Sequence, residues 1–329
     1  CEAYGALDEM FARRDLDLIV NATYSQDHPD VSIECLKAGF NVLCEKPMAP
    51  TVRDADRMIA AARKSGKLLA VFQQSHFSPA FQEIVSVIQS GVLGRIVQIS
   101  IAYNGFSRRW DWQTLQSYRG GNLMNTGPHP LEQALHLFGD GEPRVCSFMD
   151  RANTFGDAED YVKLILSGPG KPVIDIEISS CCAYPSFTYN IQGTCGGLKG
   201  STTQLEWKYF KPEEATSQQF TNPIVTPEGT PGYCEEKLVW HTGNWAFDPA
   251  ATGAADSVYQ NSATDLMATK SRPKASSNYF ESMAATYYDM LYATLTTGAP
   301  LTVTPEQVRR QMAVFEKCRE QAPDIYKNT

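Results

Sequence analysis

Short apolar runs alternate with amphipathic stretches through the first hundred residues of the chain. Mostly apolar runs predict strands, and apolar residues at helical spacing between them predict helices. The predicted strands cover residues 16–23, 40–44 and 68–72, and the predicted helices cover residues 29–38, 52–64 and 79–90. Strands that alternate with helices are typical of a parallel sheet with crossover helices.

This alternation ends at Ile96, after which most predicted strands follow one another directly. They cover residues 96–103, 145–149, 161–166, 173–179, 187–192 and 205–210, with one helix at residues 130–137 between the first two. Consecutive strands favour a largely antiparallel sheet with helices on one face. Residues 216–278 are rich in Pro, Gly, Ser, Thr and Ala and predict a long loop, whereas residues 279–296 and 305–321 predict two closing helices.

The two patterns divide the chain into two predicted domains, at residues 1–95 and 96–329. The first is expected to be α/β with a parallel sheet. The second is expected to be an α+β domain for substrate binding and oligomerisation, with its C-terminal helices packing back toward the first domain. An open sheet face normally needs covering, so we expect a homodimer or homotetramer formed through that face.

Charge, hydrophobicity and cysteine spacing exclude several kinds of partner and site. A net charge of -8 gives no attraction to nucleic acid, and no apolar run approaches the roughly 20 residues that span a bilayer. The nine cysteines include no CxxC pair, so neither a zinc site nor a disulfide framework is expected. The N-terminus lacks the basic stretch and apolar core of a signal peptide, and the expected compartment is therefore the cytoplasm.

Polar residues follow each predicted strand of the parallel sheet. In open α/β sheets, ligands bind beyond the carboxyl ends of the strands. The three polar strand exits are therefore expected to line one edge of a single cleft. They are residues 21–23, 45–47 and 73–75.

Two short motifs carry candidate chemistry. The first, Glu45-Lys46-Pro47, presents a lysine at the end of a buried strand, although lysines at such positions are often ordinary surface residues. The second runs from Gly120 to His129, and because Asn125 and His129 are four residues apart near a helix start, both side chains could face one point. A histidine suits general acid or base catalysis near neutral pH, although a lone histidine is more often structural.

These motifs belong to a wider resemblance. The chain resembles the glucose-fructose oxidoreductase, inositol dehydrogenase and MocA family over nearly its whole length. The resemblance implies a Rossmann domain, a doubly wound parallel sheet that is incomplete here, followed by a mostly antiparallel open-faced sheet domain. It also implies hydride transfer between NAD or NADP and a secondary alcohol of a sugar, cyclitol or glycoside. The matching segments are residues 15–17, 21–23, 27–28, 38–39, 44–47, 91–94 and 120–129.

The resemblance further implies a role for each matching residue. Lys46 would hydrogen-bond the reacting hydroxyl and favour loss of its proton, and His129 would accept that proton. Asn125, the third predicted catalytic residue, stands where the family usually has aspartate, so the polar contact is kept without the negative charge. The predicted cofactor-binding residues are Asn21, Ala22, Thr23, His28, Glu45, Lys46 and Gln74. The predicted substrate-binding residues are Lys46, Tyr103, Arg109, Trp110, Trp112 and His129, and no metal ligand is predicted.

A dinucleotide-binding fold opens with a strand, a GxGxxG turn, a helix and a second strand that ends in an acidic residue. None of these precedes residue 15, and the glycine cluster at residues 193–200 lacks the GxGxxG spacing and is interpreted as a turn of the second domain. Either the phosphate-binding segment is disordered, or the chain begins here. A sheet without its central strand would expose apolar surface, which favours the first explanation. The choice between NAD and NADP stays open.

Two other functions are left open beside the dehydrogenase. A glycosidase that uses bound nicotinamide transiently would release an aglycone without net reduction of the cofactor. A non-catalytic sugar-binding or assembly subunit would do neither. The asparagine at position 125 motivates this last alternative.

Overall fold

Two sheets, one of three strands and one of eight, organise the chain in the computed structural model. The structure describes residues 2–13, 15–216, 228–229, 236–248 and 274–326, with the backbone alone for residues 274–278. Within these residues, no helix has both the length and the apolar composition needed to cross a membrane.

The three-stranded sheet is parallel, in the order β1-β2-β3, with strands β1 Leu18–Asn21, β2 Asn41–Cys44 and β3 Leu69–Val71. Helix α1 Leu7–Phe11 precedes it, helices α2 His28–Lys37 and α3 Val52–Ser65 connect its strands, and α4 Pro79–Gln89 follows it. The predicted parallel sheet with crossover helices is confirmed. The strands are shorter than predicted by one to four residues.

The eight-stranded sheet is antiparallel except for one parallel pair, β4 with β7. Its spatial order is β11-β10-β9-β8-β4-β7-β6-β5. The predicted mostly antiparallel sheet is therefore confirmed. Its strands are β4 Ile96–Asn104, β5 Arg144–Asp150, β6 Tyr161–Ser167, β7 Val173–Ser179, β8 Tyr189–Gly193, β9 Gly196–Gly200, β10 Gln204–Tyr209 and β11 His241–Ala246.

Two of these strands correct the sequence analysis. The glycine cluster interpreted as a turn contains all of β9, where a Cβ on Gly196 would lie 2.2 Å from the carbonyl oxygen of Lys208 on the neighbouring strand. Glycine is needed there because β9 and β10 approach closely. Strand β11, whose sequence is HTGNWA, lies inside the predicted long loop; it lacks the alternating apolar residues that predict a strand. Most of the remainder of that predicted loop lies outside the described residues.

Helices cover one face of the eight-stranded sheet. Helix α6 Pro128–Phe138 packs on β4 and β7, and the short helix α5 Asn122–Asn125 precedes it. Alternate residues of β6 and β7 are buried beneath these helices, whereas on the opposite face Lys163 lies between the carboxylates of Asp175 and Glu177. This alternation is the one expected of a half-covered sheet. Oligomerisation through the open face stays a prediction.

The two C-terminal helices, α7 Lys274–Thr297 and α8 Pro305–Glu320, contact the parallel sheet and its helices. Tyr287 of α7 is buried beside Leu43, and its hydroxyl donates to the carbonyl oxygen of Val71 at 2.9 Å. Helix α8 begins with a capping box at Thr304 and packs on both α3 and β5. These contacts hold the parallel sheet against the rest of the chain. The predicted last-but-one helix begins earlier than expected, at Lys274.

Candidate active site

The carboxyl ends of β1, β2 and β3 meet at one edge of the parallel sheet. Parallel pairing places Asn21 beside Cys44, and Cys44 beside Val71. The Glu45 backbone amide continues this pairing by donating to the Asn21 carbonyl oxygen at 2.9 Å. The segments that follow the three strands therefore lie together, as ligand binding at such an edge requires.

Lys46 reaches from this edge to the segment that precedes α6. Its Nζ donates to the backbone carbonyl oxygen of Asn125 at 2.9 Å. Burial lowers the pKa of Lys46, with a further lowering by the charge of Arg109, while Glu45 opposes both effects. The lysine thus connects the edge of the parallel sheet to the segment before α6, and it is a partly desolvated cation.

His129 lies in the first turn of α6 and is within electrostatic reach of Lys46. Burial lowers the pKa of His129 to about 3, and the charge of Lys46 contributes in the same direction. The imidazole is therefore neutral near pH 7. Its Nδ1 atom is buried and has no hydrogen-bond partner among the described residues.

Asn125 contributes through its backbone. The sequence analysis expected its side chain and that of His129 to face one point, but the contact with Lys46 is made by the Asn125 main-chain oxygen. The reason is local, because α5 ends at Asn125 and leaves its last carbonyl groups without partners inside the helix. A cationic side chain at that helix end is favourable.

A buried glutamate that the sequence analysis missed fixes the segment carrying Asn125. Glu159, 1% exposed, accepts from the Leu123 amide through Oε1 at 2.8 Å and from the Tyr326 hydroxyl through Oε2. Gly121, at φ 102°, leaves room for this carboxylate, since a Cβ there would lie 2.4 Å from its oxygens. Burial raises the pKa of Glu159 to about 7. No sequence motif links position 159 to this segment.

At the first strand exit, the predicted cofactor-binding residues Asn21 and His28 have their polar atoms engaged inside the protein. The Asn21 amide donates to the His28 carbonyl and to Ser32 Oγ, and its oxygen accepts from Thr23. Both His28 ring nitrogens lie near carbonyl oxygens, that of Pro47 at 2.7 Å and that of Thr23 at 3.1 Å. These two side chains shape the edge and have little capacity left for a ligand.

The other predicted cofactor-binding residues are more open. Ala22 and Thr23 are exposed, and Glu45 is partly buried with its pKa raised by burial. The Oε1 atom of Gln74, just beyond β3, is buried without a partner among the described residues. A buried amide oxygen and a buried imidazole nitrogen without partners are atoms that a polar ligand would satisfy. The edge therefore offers Thr23, Lys46 and Gln74 as residues that could hold the nicotinamide end of a dinucleotide.

The two predicted substrate tryptophans have different surroundings. Trp112 lies beside Tyr24, which directly follows the first strand exit, with ring centroids 5.1 Å apart. Trp110 is 78% exposed and contacts Phe155. Tyr24 was not predicted, although its position after Asn21-Ala22-Thr23 was a usable signal.

The remaining two predicted substrate residues are more enclosed. The Arg109 guanidinium bonds the carboxylate of Asp111 at 2.8 Å and 2.9 Å. Tyr103 is on β4, packed against the core, and burial raises its pKa. Both side chains are therefore already engaged within the protein, and their contact with substrate stays a prediction.

Two family matches cover more than half of the chain. Residues 1–73 match the oxidoreductase family with an NAD-binding Rossmann fold, and residues 81–199 match the GFO/IDH/MocA C-terminal domain. The chain belongs to this oxidoreductase family. Its three-stranded sheet is part of the family's NAD-binding Rossmann fold, and the cofactor class implied by the sequence is that of the family.

Relatives of known name show the same relationship. The uncharacterized oxidoreductase YhhX of Escherichia coli is 26% identical over 317 residues, which are 96% of this chain and 81% of YhhX. The trans-1,2-dihydrobenzene-1,2-diol dehydrogenase of Bos taurus is 31% identical over 199 residues, 59% of this chain. The matched part spans 58% of the bovine enzyme, less than two thirds of its length.

A solved structure shares the fold. The WlbA dehydrogenase of Bordetella pertussis, in complex with NADH and UDP-GlcNAcA, superposes with a TM-score of 0.67 at 20% identity. The match covers 97% of this chain and 81% of WlbA. At this identity the likeness establishes the common fold of the two chains.

Proposed function

We propose that this protein is an NAD(P)-dependent dehydrogenase that oxidises a secondary alcohol on a ring, in a sugar, a cyclitol or a related cyclic diol. The observation that carries the proposal is the meeting of Lys46 with the segment of Asn125 and His129, beside strand exits that fit a nicotinamide. A desolvated cation and a neutral imidazole at one point are the groups that alcohol oxidation needs.

Lys46 is proposed to position and polarise the substrate hydroxyl. Its ammonium already donates to one oxygen atom, the Asn125 carbonyl, and has two further N–H groups to offer. A hydroxyl that accepts one of them loses its proton more readily, because the ammonium stabilises the developing oxyanion. The low local dielectric strengthens this interaction.

His129 is proposed to take the hydroxyl proton. The imidazole is uncharged near pH 7, so a ring lone pair is free to accept a proton. Thr23, Lys46 and Gln74 would hold the nicotinamide, which when bound would supply the redox chemistry as the hydride acceptor. Arg109 lies near enough to lower the pKa of Lys46, and this supports a substrate position next to the loop of Trp110 and Trp112.

The substrate class rests on chemistry shared by the relatives. The bovine enzyme is named for a cyclic vicinal diol, and WlbA was solved with a nucleotide sugar. Both compounds carry secondary alcohols on a six-membered ring. The aromatic group of Tyr24 and Trp112 offers an apolar surface against which such a ring could stack.

The test is a substrate panel with two cofactors. The protein is incubated with NAD+ or NADP+ and with cyclic diols, free sugars, cyclitols, nucleotide sugars and aryl glycosides, while nicotinamide reduction is followed by absorbance. We expect reduction with at least one ring alcohol and with one cofactor in preference to the other.

Other outcomes identify the rival functions. Release of an aglycone from an aryl glycoside without net reduction would replace the dehydrogenase by a glycosidase. Calorimetric binding of a sugar with neither reaction would leave a non-catalytic subunit. Failure to bind any cofactor and any sugar would remove the proposal altogether.

A further inference from the structure

A second cluster of polar side chains lies farther along α6. His76, Glu132 and His136 bring one nitrogen or oxygen atom each within 4.8 Å of one another. His76 Nδ1 lies 2.8 Å from Glu132 Oε1. His76 and Glu132 are 6% and 5% exposed, whereas His136 is exposed. Two imidazoles and a carboxylate thus converge on one small space that the Lys46 site does not use.

Local structure explains how the three residues meet. Glu132 and His136 are four residues apart on α6 and therefore share one face of the helix. His76 comes from a short 3-10 turn, Gln74–Phe77, that packs against α6. The sequence analysis predicted no metal ligand, because His76 is 56 residues from Glu132 and only the fold joins them.

One atom of the cluster lacks a partner. Glu132 Oε2 is buried and accepts no hydrogen bond from any described residue. A buried carboxylate with an unpaired oxygen is unfavourable unless a positive charge or a donor faces it. The bond between His76 and Glu132 Oε1 satisfies only half of the group. The remaining oxygen belongs to a carboxylate that lies close to two imidazoles, and this combination points to a cation.

We propose that His76, Glu132 and His136 bind a divalent transition-metal ion of the zinc type. Imidazole nitrogen with one carboxylate oxygen is a common ligand set for zinc, whereas calcium and magnesium prefer oxygen ligands throughout. Donor atoms on one zinc ion lie about 3.3 Å apart, so small side-chain rotations bring these three into range.

The cluster opens into a cavity of about 190 Å³. Three protein ligands leave at least one coordination position, and this cavity would hold the water or acidic ligand that fills it. Arg310, on α8, lines the same cavity and would favour an anionic group there. The ion would also tie the turn of Gln74 to the helix of His129, two elements of the proposed active site.

The test uses the purified protein without a histidine tag. The protein is stripped with a chelator, loaded with Zn2+, dialysed and analysed for metal content, and its affinity is measured by competition with a chromophoric chelator. We expect about one zinc ion per chain, and Co2+ in its place should give visible absorption bands of a low-coordinate site.

Two variants assign the ligands. His136→Ala and Glu132→Gln should each weaken zinc binding at least tenfold, since ligand loss costs no less than loss of an outer partner. His241→Ala is the matched control, because His241 also pairs with a glutamate, Glu214, but lies on the edge strand β11. Its zinc binding should equal that of the parent.

The proposal is overturned if the parent retains no zinc above background, or if His136→Ala binds zinc as tightly as the parent. His136 is exposed, so its substitution is not expected to disturb folding, and it decides the matter even if Glu132→Gln fails to fold. Zinc content is independent of dehydrogenase activity. A failure of the proposed function therefore leaves this test intact.

Discussion

The polar residues around the strand edge divide into two groups that the sequence treats alike. Every polar side-chain atom of Asn21 is hydrogen-bonded within the protein, and both ring nitrogens of His28 lie against backbone carbonyl oxygens. Gln74 and His129 each keep one buried atom without a partner. All four were predicted to serve the site, yet only the second pair has unused hydrogen-bonding capacity.

We interpret this difference as one between residues that maintain the shape of the edge and residues proposed to contact a ligand. Leaving a buried polar atom unpaired costs about 1–3 kcal/mol, so folding alone gives no reason to keep such atoms. We propose that a ligand bound at this edge pairs them. A fully paired side chain such as Asn21 instead maintains the shape of the edge, and its loss should be felt as lost stability.

The largest expected effect is on turnover. Lys46→Met and His129→Asn should each lower kcat about a hundredfold or more, because each removes a group proposed to act on the substrate hydroxyl. Neither should unfold the protein, since Lys46→Met removes a desolvated cation and His129→Asn replaces the imidazole by a smaller polar side chain. Steady-state kinetics with the substrate found by the panel, together with thermal unfolding, measures both effects.

Lys199→Met is the matched control for the lysine. Lys199 is exposed and pairs with Glu206 on the neighbouring strand of the eight-stranded sheet, so its loss should leave kcat unchanged. Parent-level turnover in Lys46→Met or His129→Asn would remove that residue from the mechanism. An equal loss in the Lys199 variant would make the effect nonspecific.

A smaller effect is expected for the scaffold residue Asn21. Asn21→Ala leaves the His28 carbonyl and Ser32 without their donor inside the protein and should lower the free energy of unfolding by about 2 kcal/mol. Turnover per folded molecule should change little. Urea unfolding and kinetics at low temperature separate the two quantities.

Asn244→Ala, at an exposed position of β11, is the control and should cost little stability. If Asn21→Ala instead lost turnover a hundredfold at unchanged stability, the division into scaffold and ligand contacts would be wrong.

The sequence predicts the elements and contacts that are local along the chain better than those that join distant positions. Hydrophobic periodicity located the parallel strands and both closing helices, because these patterns are local. It missed β9, where glycines replace the apolar pattern, and β11, whose partner β10 alone defines it. Among site residues, Lys46 followed from its strand exit. The contact of its Nζ with the Asn125 carbonyl did not, since it joins positions 79 residues apart.

The buried acids and bases show the same limit. Glu159 supports the segment of Leu123 from 36 residues away, and Tyr326 reaches it from the end of the described chain. Spacing within the sequence carries no sign of either contact. Only the packing of α8 and the eight-stranded sheet around α5 brings these groups together. The sequence therefore offers no way to tell which buried polar groups have a hydrogen-bond partner.

The smallest expected effect is a change in the pH dependence of stability, and it takes opposite signs at two buried titratable residues, Glu159 and His129. Glu159, partnered, has its pKa raised to about 7, chiefly by burial, from an ordinary value of 4.5. The folded chain then holds a proton that the unfolded chain releases, so this stabilisation is lost as pH rises from about 4.5 to about 7. His129, unpartnered, has its pKa lowered from 6.5 to about 3, so its contribution is lost as pH falls below about 6.5.

Substitution should therefore tilt the stability profile in opposite directions between about pH 4.5 and 6.5. Relative to the parent, Glu159→Gln should gain stability with rising pH and His129→Asn should lose it, each by at most about 1.4 kcal/mol per pH unit. Urea unfolding across this range measures both tilts, with Glu206→Gln, an exposed carboxylate on β10, as the control that keeps the parent profile. Tilts of the same sign in both variants would mean that burial does not set these two pKa values in opposite directions.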